Sequence, residues 1–227
     1  MADAFSTGPA RRLRLATVRL YLVTDDTTPA ARLPAVIQAA VAGGVDAVQL
    51  RRKGVRWQEL VPLAQACRAA AHAGGALFFI NDHVELALAV DADGVHLGQE
   101  DHPLASARAR LGAARLLGAS THAAAEVPRA LAAGVDYVAA GPVHTTPTKA
   151  GRAAVGLGYV TEAAALATCP VVAIGGLHAG NAAATVAAGA DAVAVVRAIC
   201  AAAEPGVAAA ALRRVILAAS ATGVAAG

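Results

Sequence analysis

Aromatic side chains are scarce in this sequence: tryptophan, tyrosine and phenylalanine make up 3% of its 227 residues. A core with so few rings must be packed from small aliphatic side chains, which suits helices laid closely on strands. Charged residues are also sparse, at 15% against 57% hydrophobic, which excludes a disordered, strongly solvated chain. The cysteines Cys67, Cys169 and Cys200 are three in number and far apart. They imply neither a disulfide framework nor a zinc motif, and a reducing cytoplasm is the expected compartment. No apolar run is uninterrupted for long enough to cross a membrane, and the N-terminal stretch lacks the apolar segment of a signal peptide. The net charge of +3 is local, because Arg11, Arg12, Arg14 and Arg19 all stand in the first stretch. No basic, aromatic-interleaved face suggests nucleic acid. Small molecules are therefore the expected partners, with neither nucleic acid nor membrane, and nothing indicates an oligomeric state.

What is present is a rhythm. Short runs rich in Val, Ile and Leu recur at 19–24, 46–52, 76–81, 94–98, 116–121, 137–143, 170–176 and 191–197. They are nearly continuous in hydrophobicity, as strands buried on both faces are. Alanine-rich, helix-like segments lie between them, among them 31–42, 57–73, 122–133 and 179–188. A finer repeat runs through AGGVDAV (42–48), AVDADGV (89–95), AAGVDYV (132–138) and AAGADAV (187–193). It precedes every second strand, so a βαβα unit is used four times. An α/β fold of the (β/α)8 TIM-barrel kind follows, as one domain over 19–220. A doubly wound open sheet is the competitor, and it does not predict the quarter-repeat. Residues 1–18 read as a flexible lead-in and 221–227 as a frayed end.

The barrel sorts the aspartates. Asp46, Asp93, Asp136 and Asp191 stand at strand starts and read as structural, satisfying turn amides. Asp25, Asp26, Asp82 and Asp101 stand at or beyond strand ends, the face that carries chemistry in such barrels. Strand 2 ends VQLRRKG, so Gln49, Arg51 and Lys53 share one side by period-2 alternation. Two cations and an amide at one mouth suit an anion with several oxygens. Asn81 and Asp82 fall at the tip of strand 3, and Asp101 lies in the loop beyond strand 4. Such a carboxylate pair beside cations suggests Mg²⁺ shared with a phosphate ligand. Alone, Asp82 also reads as a helix cap. His83, His96 and His102 are nearby and are assigned no metal role. Ser120, ending strand 5, is a hydrogen-bonding group at the mouth.

The segment GPVHTTPTKAG (141–151) follows strand 6 and reads as a lid, with Thr146, Thr148 and Lys149 as phosphate-binding groups. Glycines after strand 7 and the start of the helix after strand 8 form a second anion site.

Together, YLVTD, VQLRRKG, INDHVELA, DGVHLGQED, GASTH, GPVHTTPTK and VAIGG, in this order over residues 19 to 200, resemble the thiamine phosphate synthase family. The resemblance implies a transferase that joins hydroxymethylpyrimidine diphosphate to thiazole phosphate, releasing pyrophosphate through a pyrimidine-stabilised carbocation. It implies Mg²⁺ on Asp82 and Asp101. It places Arg51, Lys53, Asn81 and Lys149 on the diphosphate, and Gln49 and Ser120 on the pyrimidine. Thr146 and Thr148 would lie by the thiazole phosphate, whose oxygens would meet Gly176 and the backbone at Val196 and Arg197. Three departures stand out: Arg52 for an acidic residue, His144-Thr145 for an aromatic-proline pair, and Arg197 for a serine. A related thiazole tautomerase, or a non-catalytic phosphate-binding barrel, would not require the whole set of charged residues.

Overall fold

The computed structural model describes residues 7–147 and 151–224, with side chains described as far as residue 221. Eight strands form a closed parallel barrel in sequence order: β1 (Leu20–Val23), β2 (Ala47–Leu50), β3 (Leu77–Asn81), β4 (Gly94–Leu97), β5 (Leu116–Thr121), β6 (Tyr137–Ala140), β7 (Val171–Ile174) and β8 (Ala192–Val195). β8 closes on β1 with Tyr21 opposite Ala194. Helices α2 (Leu33–Ala42), α3 (Val61–Ala73), α4 (Val84–Ala89), α5 (Leu104–Leu111), α6 (Glu126–Ala132), α7 (Gly156–Leu166) and α8 (Ala182–Ala187) follow β1 to β7 in turn. A short α9 (Arg197–Cys200) and a long α10 (Pro205–Val224) follow β8. The α/β barrel read from the repeat is thus the observed fold, and α10 continues past residue 220.

Alternation splits the core in two. One set of strand side chains meets the helices, as Leu20, Leu22, Val48, Phe78, Ile80 and Val95 do. The other fills the lumen with Tyr21, Ala47, Leu77, Phe79, Leu116, Tyr137, Val172 and Ala194. The few rings are concentrated there: Phe79 sits 5.6 Å from both Tyr21 and Tyr137, centroid to centroid. Glycines make room for them. Phe79 registers with Gly94 and Tyr137 with Gly118 on neighbouring strands. A methyl group at Gly118 would lie 2.1 Å from the Tyr137 ring, so this large–small alternation is sterically required.

The quarter-repeat aspartates have one common task. Each accepts an amide N–H from the first or second residue of the preceding strand: Asp46 from Leu20 (3.1 Å), Asp93 from Phe78, Asp136 from Leu117 and Asp191 from Val171 (each 2.8 Å). Residues 8–16, expected in a flexible lead-in, instead form helix α1 (Gly8–Ala16), whose N-cap Thr7 accepts the N–H of Ala10. The reason lies in those aspartates. Arg11 pairs with Asp93 (2.8 Å), Arg12 with Asp136 (2.7 Å) and Arg14 with Asp46 (3.2 Å), so α1 closes the bottom of the barrel. Arg11 is 4% exposed and Asp93 not at all. His72 also meets Asp93 at 2.8 Å. Burial pushes the Asp93 carboxyl up, but hydrogen bonds from His72 and Arg11 outweigh it and hold the group below its ordinary range.

Candidate active site

At the opposite end, the strand tips surround a cavity of about 440 Å³. Its wall includes Gln49, Arg51, Lys53, Asn81, Asp82 and Asp101 on the β2–β4 side. Ser120, Thr146, Gly176, Val196 and Arg197 complete it from β5 to β8. The structure thus brings together every described residue expected to bind substrate or metal. Thr148 and Lys149 lie outside the described residues.

The β2 side is braced by a residue to which the sequence reading gave no role. Asp26 pairs with the Arg51 guanidinium and accepts the Lys53 amide N–H at 2.9 Å. Thr24 Oγ1 accepts the Arg51 N–H at 2.9 Å. Arg52 turns to the other side and donates to the carbonyls of Asp26 and Thr28. It therefore fastens the β1–α2 loop and leaves the cavity to its neighbours.

Asp82 is an unusual backbone position, at φ +65°. Left-handed geometry is costly for a side-chain-bearing residue and clusters at functional sites. Its amide donates to the carbonyl of His96 at 2.9 Å, which fixes it to the tip of β4. It does not cap α4: the N-cap there is His83, without a side-chain cap bond. Its carboxylate meets Lys53 Nζ. Asp101 folds back so that Oδ2 accepts the Gly98 N–H at 2.7 Å. A methyl group at Gly98 would lie 2.8 Å from that oxygen, so a larger residue there would push the Asp101 carboxylate from this position.

The two carboxyls face each other closely enough to shift each other's ionisation in opposite directions. Burial, then the bond to Asp101, raises Asp82 above its ordinary value. For Asp101 the upward push of burial is overcome by the bond from Asp82, the Gly98 amide and Lys53. Two facing carboxyls favour either a shared proton or a cation. Their donor set is all oxygen, which suits a hard ion such as Mg²⁺ and not zinc. Among the described residues no group of three or more His, Cys, Asp or Glu side chains forms a metal cage. An ion held here would complete its shell with water and ligand oxygens.

On the far wall, Gly175 (φ +108°) and Gly176 (φ +65°) follow β7. A methyl group at Gly175 would sit 2.4 Å from Pro142 Cα, so the lid base and this turn are pressed together. Val143 and His144 donate their N–H groups to the carbonyls of Ile174 and Gly175 (2.8 and 3.0 Å). Val155 and Gly156 donate back to Pro142 and Val143. Both ends of the segment after β6 are thereby anchored over the barrel. Asn181 stands at the N-cap position of α8 without a side-chain cap bond; its side chain accepts the His178 N–H (2.8 Å) and donates to the Gly176 carbonyl (3.0 Å), fixing the β7–α8 turn.

The sequence reading also missed the cavity floor. Gln49 Nε2 donates to the Tyr21 hydroxyl (3.1 Å), which lies 3.0 Å from the Tyr137 hydroxyl. Tyr137 meets His96 Nδ1 at 2.9 Å, and His96 Nε2 meets Ser120 Oγ at 2.9 Å. All five side chains are buried. The available signal was parity: Tyr21 and His96 point inward like Gln49, at lumen positions that otherwise read as core.

Among the described residues no helix is long and apolar enough to cross a membrane. A family model for thiamine monophosphate synthase matches residues 20–199. The chain is 49% identical over 203 residues to the thiamine-phosphate synthase of Gloeobacter violaceus, covering 89% of this chain and 59% of that one. It is 48% identical to that of Streptomyces avermitilis, covering 86% of this chain and 91% of the other. The solved thiamine phosphate pyrophosphorylase from Pyrococcus furiosus superposes with a TM-score of 0.81 at 33% identity, covering 91% and 98% of the two chains. The chain thus spans little more than half the length of the Gloeobacter protein and nearly all of the Streptomyces one. Barrel, rim and sequence agree: this chain belongs to the thiamine monophosphate synthase family.

Proposed function

We propose that this chain joins hydroxymethylpyrimidine diphosphate to thiazole phosphate, giving thiamine phosphate and pyrophosphate. One observation supports this most: a single cavity of about 440 Å³ takes two carboxylates, two cations and two amides on one wall and a glycine turn on the other. That division matches a diphosphate–metal end and a monophosphate end.

For the described residues, the geometry supports the following roles. Arg51, held by Asp26 and Thr24, and Lys53, paired with Asp82, are fixed cations where a diphosphate would lie. Pre-placed charge aimed at a departing pyrophosphate stabilises the transition state without reorganisation. Asp82 and Asp101 would hold Mg²⁺, which when bound neutralises charge on the leaving group. Asn81, beside Asp82, offers an amide to the same oxygens. Gln49 and Ser120 would meet the pyrimidine, while Thr146, Gly176 and the backbone of Val196 and Arg197 would orient the thiazole phosphate. Lys149 and Thr148 would act from the lid. With substrates bound, the floor and the anchored base of the segment after β6 would keep out water, which would quench a carbocation before the thiazole nitrogen reaches it.

An assay with both substrates and Mg²⁺ tests this by pyrophosphate release. Release should require both substrates and the metal. Asp82→Ala or Lys149→Ala should abolish most turnover while thiazole phosphate still binds. Turnover unchanged in both variants would refute the proposal. Binding without release would leave a phosphate-binding barrel, and isomerisation of the thiazole alone would favour the tautomerase.

A further inference from the structure

The hydrogen-bond chain beneath the cavity has a direction. Tyr21 and Tyr137 each carry one phenolic proton, and burial raises both groups far above the usual phenol range, so both remain protonated. Each hydroxyl sits between two polar atoms. Gln49 Nε2 gives a hydrogen to Tyr21. Tyr21 must then donate to Tyr137, and Tyr137 to His96 Nδ1. An imidazole accepting at Nδ1 carries its proton on Nε2, the more stable neutral tautomer, and donates it to Ser120 Oγ. The Ser120 hydroxyl proton is left for the cavity. At the other end, Gln49 keeps Oε1 and its second N–H for the cavity it lines.

We infer that Tyr21, Tyr137 and His96 are positioning residues that lock the Gln49 amide in one orientation. This end of the cavity then selects a ring edge with an exocyclic N–H donor beside a ring-nitrogen acceptor, as in a 4-aminopyrimidine, over the 4-oxo form. The inference rests on the proposed function for where the ring lies. A 4-oxo ring presents acceptor and donor in the opposite order. It cannot turn over to correct this while its diphosphate arm is held by Arg51 and Lys53. Gln49 cannot turn its amide alone, because Oε1 would then need a proton from Tyr21. Every donor down to Ser120 would have to reverse, and the imidazole would have to change tautomer. Buried hydrogen-bond chains switch together, because each link polarises the next and an unmade buried bond is costly.

The test uses the whole chain with Mg²⁺ and two ligands, the 4-amino and 4-oxo pyrimidines, each on a non-cleavable methylenediphosphonate arm. Calorimetric titration should show the parent protein binding the amino form about 10-fold or more tightly, the scale for a mispaired buried polar edge. In Tyr21→Phe the freed amide can turn, so the preference should fall below about threefold, as the loss of one directional bond allows. A merely structural role for Tyr21 would weaken both ligands alike, and an unchanged ratio would overturn the inference. ¹⁵N spectra of His96 in the parent protein provide a second measurement that needs no variant. A proton on Nε2 is expected, and one on Nδ1 would overturn the relay. A parent without ring preference that still releases pyrophosphate defeats the relay and leaves the proposed function standing. A parent that releases no pyrophosphate defeats the function, and the His96 spectrum then decides the relay separately.

Discussion

At the bottom of the barrel Asp46, Asp93 and Asp136 each meet a strand amide and an arginine of α1, whereas at the top Asp82 and Asp101 meet each other. The same residue type is satisfied at one end and left in tension at the other. Below, each carboxylate is met by several donors, and Asp93 is held low despite complete burial. Above, burial and a neighbouring carboxyl raise Asp82, and its backbone sits in the left-handed region. The bottom rim thus stabilises the fold, and the top rim carries a strained backbone position and a crowded pair of carboxyls.

The largest effect expected on this contrast comes from Asp93→Ala. Removing it leaves Arg11 buried without its partner, at a cost of about 3–5 kcal/mol. Chemical denaturation should show the loss, while turnover per folded molecule stays near the parent value. The same residue gives a pH signature. Its carboxyl is lower in the folded than in the unfolded chain, so its stabilisation is full above the ordinary aspartate range. That stabilisation drains away as pH falls through the folded value, and the acid limb of a denaturation–pH profile should flatten in the variant.

Asp82→Gly reverses the pattern. It removes the left-handed strain and the carboxyl contact, so thermal stability should hold or rise by about 0.5–1 kcal/mol. Pyrophosphate release should fall roughly 10²-fold or more, the scale for losing one pre-placed electrostatic group. Gly118→Ala lies between the two ends, and its methyl group would press the Tyr137 ring. It should cost about 1–3 kcal/mol, with weaker binding of the pyrimidine ligand measured by calorimetry. The smallest effect is Arg12→Ala. Arg12 is 41% exposed and Asp136 keeps Arg108, so the melting curve should report less than about 1 kcal/mol.

The same contrast shows what was legible in the sequence. The barrel could be read because the aspartate-bearing repeat marks a strand start every second time, and strand starts are local events. Gln49, Arg51 and Lys53 could be read because alternation along one strand needs no knowledge of the others. Helix α1 could not, because the partners of Arg11 and Arg12 stand at Asp93 and Asp136, and only closure brings them beneath the N-terminus. Asp26 was placed on the right face, but its bond to Arg51 joins two strand ends. Tyr21, Tyr137 and His96 were hidden because a lumen position on a barrel strand looks like core in either case, and their order around the ring is a tertiary fact.

The claim on which all of this depends is that one metal-bound diphosphate sits between Asp82, Asp101, Arg51 and Lys53. A crystal structure of the protein with Mg²⁺, pyrophosphate and thiazole phosphate measures it directly. The account expects the ion on the two aspartates, the diphosphate against the arginine and lysine, and the monophosphate at the Gly176–Arg197 side of the same cavity. Metal and pyrophosphate found elsewhere, with Asp82 and Asp101 still facing each other without an ion, would contradict it.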